Sequence, residues 1–199
     1  VGGANAVYII APSFERLKNS RSLIQPLVDH RKSQGYSVAV IDVQDIYDAW
    51  NFGQVSPEAI RNFLQYAATN WNPKPKSVVL VGDSTVDARN WGAVPIEKGN
   101  NINFIPPFMG QNIDPWLGEA ACDQCYVQLN GSDAVTGDSL VSNTGFFDTD
   151  LWIGRFPVKS EQDLSTVVNK IIAYETATDL DASWRRTSVF LADNYVRSA

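Results

Sequence analysis

The sequence predicts an α/β fold: a three-layer, mostly parallel sheet with helices on both faces. Two observations carry this. Ser77-Val78-Val79-Leu80-Val81 contains four consecutive apolar residues, three of them β-branched, and stops at Gly82-Asp83. A short apolar run bounded by turn residues is the pattern of a parallel strand buried on both faces. Around it, strand-length apolar runs alternate with stretches of helical spacing, the order that parallel strands joined by right-handed crossovers require.

The elements follow in chain order. Val7 to Ala11 reads as a first strand ending at Pro12. Leu23, Leu27 and Val28 share one helix face, Gly35 is a helix stop, and Pro26 is expected in the first turns, where proline is tolerated. Ser37 to Val43 is a second strand, and Asp45 to Trp50 a short helical turn. Ser56 is an N-cap with Pro57 at the first helical position, and Ile60, Phe63, Leu64 and Ala67 form the buried face that follows. After Asn72-Pro73-Lys74-Pro75 comes the central strand. From Ser84 to Trp116 the periodicity dissolves into Gly, Asn and Pro, and a loop is expected. Tyr126 to Leu129 reads as a short strand, residues 130–149 as a surface loop, and Asp150 to Arg155 as a further strand. Ser160 with Asp163 resembles a capping box ahead of a helix whose apolar face is Leu164, Val167, Val168, Ile171 and Ile172. Thr187 to Ala192 reads as a last strand, ending at Asp193-Asn194.

Composition excludes several classes. The 199 residues are 44% apolar and 11% aromatic, with six Trp, which fits a packed core rather than disorder. A net charge of −6 opposes nucleic-acid binding, which needs clustered Lys and Arg, and gives no support to an anionic membrane surface. No apolar run approaches the roughly 20 residues of a membrane span. The chain begins at Val1 with no signal-peptide pattern and no initiator Met, so a processed or excised piece of something longer is expected.

Asp83 is the first candidate for function, because sites in open α/β sheets gather outside the carboxyl ends of the strands. Its alternative is a residue that caps the turn. Ala11-Pro12-Ser13 is neither a P-loop nor a dinucleotide fingerprint. His30, the sole histidine, lies mid-helix beside Asp29, Arg31 and Lys32 and reads as a solvated surface residue. Cys122 and Cys125 have CxxC spacing without the further ligands zinc needs, and they precede a strand-like run rather than a helix. A disulfide or a pair of buried thiols is the structural reading. Asn130-Gly131-Ser132-Asp133 with Asp138 forms either an oxygen-rich loop able to take calcium or a plain turn.

Three blocks together resemble the gingipain-type cysteine peptidases, bacterial relatives of the caspase fold. The first is Ile24-Gln25-Pro26-Leu27 through Arg31-Lys32-Ser33-Gln34-Gly35, with the strand to Val43 and Asp45-Ile46-Tyr47. The second is Ser56-Pro57-Glu58-Ala59-Ile60-Arg61-Asn62-Phe63-Leu64 leading to the central strand. The third is Asp150-Leu151-Trp152-Ile153-Gly154-Arg155-Phe156-Pro157-Val158, with Lys170-Ile171-Ile172-Ala173-Tyr174-Glu175 closing the helix. Asp123 fits an acidic segment that such proteins carry between these blocks; the two Cys and the long loop after Asp133 depart from the pattern.

The resemblance implies a caspase-like α/β unit of two subdomains. Residues 1–180 would be the first, and 187–199 the opening strand of a second. In such enzymes the catalytic His sits in a Gly-His-Gly-type motif and the nucleophilic Cys ends a later strand. His30, Cys122 and Cys125 lie in neither context, so no catalytic residue is expected in this chain and the dyad is expected beyond Ala199. Asp83, Asp123 and Asn194 are the cleft-edge candidates; Asn194 falls near where some members place an acid that orients the His. No cofactor is required for this chemistry, with calcium a possible accessory. Protein or peptide substrates and the remainder of the parent polypeptide are the implied partners, at a secreted or cell-surface location. Two rivals stand beside this: a non-catalytic docking or scaffold module, and a thiol-redox or metal module built on the two Cys.

Overall fold

The computed structural model describes residues 3–11, 16–85, 103–114, 118–130, 149–179 and 182–190. Its main sheet has four strands in the order β2-β1-β3-β6, every neighbouring pair parallel. These are β1 (Ala6–Ile10), β2 (Val38–Asp42), β3 (Ser77–Val81) and β6 (Trp152–Phe156). A two-stranded antiparallel hairpin, β4 (Met109–Asp114) and β5 (Gly118–Ala121), stands apart from it. The helices are α1 (Ser20–Ser33), α2 (Val43–Trp50), α3 (Pro57–Asn70) and α4 (Glu161–Thr176).

Strand alternation sorts the core into two layers. Val7, Ile9, Val78 and Leu80 point to one face, where they meet Val43, Ile46 and Tyr47 of α2 and Ile60, Phe63 and Leu64 of α3. Tyr8, Ile10 and Val81 point to the other, against Ile24, Leu27 and Val28 of α1 and Leu164 and Val168 of α4. With both faces covered, β1 and β3 carry apolar residues at consecutive positions, which is why they are legible as continuous runs. The fold class is α/β, a helix–sheet–helix sandwich.

The helix boundaries follow local chemistry. Ser56 Oγ accepts the Ala59 N–H at 3.3 Å, and Pro57 opens α3. Asp42 caps α2 through the Gln44 N–H at 2.8 Å. Ser160 Oγ accepts the Asp163 N–H at 3.1 Å, while the Asp163 carboxylate reaches back to the Lys159 N–H at 3.2 Å, one residue short of a full capping box. Gly35 sits at φ 90°, the left-handed conformation that ends a helix without a Cβ penalty.

Four expectations change. Tyr126 to Leu129 is not a strand: Asp123–Val127 forms a 3₁₀ helix. The Cys122–Cys125 disulfide joins positions three apart, the spacing at which side chains eclipse in a 3₁₀ turn. The hairpin β4–β5 lies partly inside what reads as a long loop. Pro26 stands in the interior of α1, because the helix begins at Ser20 rather than Leu23. Finally, Ser183–Arg186 forms another 3₁₀ helix, and Thr187–Phe190 beyond it carry no strand pairing; Val189 and Phe190 are exposed. The rest of the expected strand, with Asn194, lies outside the described residues, as do residues 131–138 of the oxygen-rich stretch.

Candidate functional site

The carboxyl end of the sheet is built around the turn that leaves β3. Gly82 adopts φ 149°, and a Cβ there would lie 2.7 Å from Phe104 Cβ. Only glycine lets residues 103–105 pack this closely over the strand end. The Gly82 N–H donates to Phe156 O at 3.0 Å and the Asp83 N–H to Val158 O at 3.0 Å, so the chain continues alongside the exit of β6. Asp83 O in turn accepts the Phe104 N–H at 3.1 Å, and the Asp83 carboxylate pairs with Lys159 Nζ at 3.4 Å. Its backbone is thus engaged on both sides, while its carboxylate remains at a partly open edge.

Arg155 holds this end together. It stands opposite Leu80 in the β3–β6 ladder, on the α2/α3 face. Its Nε and Nη2 donate to the two oxygens of Asp123 at 2.8 and 2.7 Å, a bidentate fork. Its Nη1 donates to Gly82 O and Ile105 O, both at 2.9 Å. The Arg155 side chain is 9% exposed and Asp123 31%, so the guanidinium is nearly buried and its carboxylate partner only partly so. One side chain therefore joins the ends of β3 and β6, the 103–108 segment and the 3₁₀ helix. Beside it, Tyr126 donates its hydroxyl to Pro106 O and stacks edge-on against Phe108 at 4.9 Å. Burial, and after it the proximity of Tyr47, pushes the Tyr126 phenol well above its ordinary range, so it acts as a hydrogen-bond donor and not as a titrating acid.

Asp83 and Asp123 both fall at this end, bridged through Gly82 and Arg155. Arg155 is the residue that sequence reasoning did not single out. A signal existed: an Arg inside an apolar strand needs a carboxylate, because a lone buried cation is costly.

His30 occupies the opposite end. It is not solvated. His30 Nε2 lies 2.8 Å from Glu175 Oε2, and Arg31 Nη2 donates to Glu175 Oε1 at 2.8 Å, with Gln34 adding a third contact. Arg31 above all, and then His30 and Gln34, hold the Glu175 carboxyl down at about 2. The cluster borders a cavity of about 710 Å³ lined by Ala6 and Ser77 at the amino ends of β1 and β3, with Tyr8, Tyr36 and Tyr174. A five-residue strand is about 17 Å long, which separates His30 from both cysteines. Cys122 and Cys125 are bonded to each other. Among the described residues no group of three or more His, Cys, Asp or Glu could hold a metal ion.

The sequence matches the model of Peptidase family C25 over residues 2–198. No curated protein matches it. In fold it is similar to dimeric latent PorU from Porphyromonas gingivalis, with TM-score 0.65 and 20% identity, over 94% of this chain and 17% of that one. It is also similar to the Arg-specific cysteine proteinase gingipain R, with TM-score 0.52 and 23% identity, over 87% of this chain and 28% of that one. The complex of RgpB pro- and mature domains from Porphyromonas gingivalis gives TM-score 0.54 and 23% identity, over 85% and 29%. The chain thus spans less than a third of each of these proteins. With a family match across nearly its whole length, this chain belongs to Peptidase family C25.

Proposed function

We propose that this chain is the amino-terminal part of a secreted or surface-located bacterial cysteine endopeptidase, and that it supplies supporting architecture while the Cys-His dyad comes from the rest of the parent polypeptide. The observation that carries this is the separation of its own thiol and imidazole groups. Thiolate attack on a peptide needs a Cys within hydrogen-bond reach of a His. Here the sole His is tied to Glu175 at the amino end of the sheet, and both Cys are closed in a disulfide near the carboxyl end. Asp83 and Asp123 border the cleft that the downstream dyad would use, a role the family resemblance alone gives Asn194, and Arg155 keeps its floor in shape. Residues 1–180 form the first subdomain and 187–199 begin the second. Among the described residues β6 pairs only with β3, and Trp152 at its start is 79% exposed, which leaves a sheet edge where a further subdomain can add.

The disulfide supports an oxidising compartment. Among the described residues no helix is long and apolar enough to cross a membrane. Peptides are the substrates of this reading, and thiol chemistry needs no cofactor. The test is turnover of fluorogenic peptides by the purified chain under reducing conditions. None is expected. Thiol-dependent cleavage that disappears in Cys125→Ala would overturn the proposal.

A further inference from the structure

Cys122 and Cys125 bracket Asp123, the carboxylate that Arg155 grips. The closed loop is so short that it removes little conformational entropy from the unfolded chain, which makes this disulfide a weak global staple. What it constrains is local. Cys125 is fully buried in the core layer that also holds Ile105, Phe108 and Tyr126, Cys122 N–H donates to Phe108 O at 2.8 Å, and the Cys125 N–H returns to Cys122 O at 3.3 Å. The bond thus fixes the turn from which the Asp123 carboxylate reaches the two donors of Arg155.

We propose that Cys122–Cys125 is a thiol–disulfide exchange site whose redox state sets the Asp123–Arg155 clasp at the carboxyl end of the sheet. Its reaction partner is a dithiol. Cys122 is the partly exposed member and takes the attack. A thiolate of the dithiol bonds to Cys122 Sγ, the Cys122–Cys125 bond breaks, and Cys125 leaves as a thiolate. That thiolate takes a proton, because its surroundings are apolar. The second thiol of the partner, as thiolate, then attacks the partner's own sulfur in the mixed disulfide and releases Cys122. The protein disulfide gains two electrons and two protons, and the dithiol becomes a disulfide. Reduction frees the turn, loosens Asp123 from Arg155, and relaxes the hold of Arg155 on Gly82 and Ile105. The exchange site stands whether or not the parent polypeptide cleaves peptides.

Coupling between two sites is reciprocal: if the disulfide favours the clasp, the clasp favours the disulfide. The full chain is equilibrated against defined ratios of reduced and oxidised dithiothreitol, the thiols are trapped by alkylation, and the two forms are counted by mass spectrometry. Asp123→Asn is expected to move the exchange equilibrium about tenfold toward the dithiol, close to 30 mV. Arg155→Lys keeps the charge but loses the fork, and is expected to give an intermediate shift; it also covers the case in which Asp123→Asn does not fold. Amide exchange at Gly82, Asp83 and Phe104 is expected to speed up when the wild-type chain is reduced, and in a Cys122→Ser, Cys125→Ser double variant without reductant. Equilibria within twofold of wild type in the folded clasp variants would overturn the proposal. So would amide exchange that ignores the state of the two cysteines.

Discussion

Replacing Asp123 with Ala strands the Arg155 guanidinium. Its side chain is 9% exposed, so water reaches little of it, and the two carboxylate bonds are lost while those to Gly82 O and Ile105 O remain. Breaking a buried ion pair from one side typically costs about 3–5 kcal/mol. Asp123 itself is 31% exposed, so solvent enters the vacated side and lowers the cost to about 2–3 kcal/mol. For a chain of this size each kcal/mol is worth about 2–4 °C, giving a fall in Tm of about 4–12 °C. Urea unfolding of the oxidised chain at pH 7 measures the free energy directly, with an unchanged m-value expected if the native state keeps its compactness. Pairing Asp123→Leu with Arg155→Met removes the buried charge as well and is expected to recover part of the loss. A loss under about 0.5 kcal/mol for Asp123→Ala would show a solvent-screened surface pair and refute the clasp.

Glu175 makes stability depend on acid. Its folded carboxyl titrates at about 2, below its ordinary value of 4.5, so its contribution is present above pH 4.5 and is lost as pH falls toward 2. The lowered value alone corresponds to about 3 kcal/mol, but the group is 28% exposed and about 1–2 kcal/mol is a fairer figure. Glu175→Gln should therefore lower Tm at pH 7 and leave it unchanged near pH 2; an equal loss at both would contradict the ion-pair origin. Gly82→Ala combines a positive φ with a 2.7 Å contact to Phe104 and should cost about 2–5 kcal/mol in urea unfolding. Leu80→Ala empties a site with no exposed surface in the α2/α3 layer and should cost about 2–5 kcal/mol by the same assay, with a cost below 1 kcal/mol arguing against the assigned face.

The parts legible in the sequence are those where local signals and burial agree. β1 and β3 show as apolar runs because helices cover both sheet faces, and α3 shows because Ser56-Pro57 cap and start it. Where two periods compete, composition alone fails. Tyr126 to Leu129 is a short apolar run that suits a strand or a buried turn equally, and a disulfide three residues wide decides for the turn. The candidate site divides the same way. Asp83 announces itself by following a strand-ending glycine. Asp123 comes into view through the family resemblance, while Arg155 stands inside a matching block without a role, because its partner is 32 residues away. The His30–Glu175 pair spans 145 residues, so the same helix surface that reads as solvated is covered by the end of α4.

The location of the nucleophile is the central question. The parent polypeptide can be labelled with a thiol-reactive peptidyl probe under reducing conditions and the modified cysteine found by mass spectrometry. Modification is expected at a cysteine beyond Ala199, with cleavage activity lost in step. Activity-linked modification confined to Cys122 or Cys125, with no cysteine beyond Ala199 labelled, would place the catalytic thiol in this chain and contradict the supporting role assigned to it.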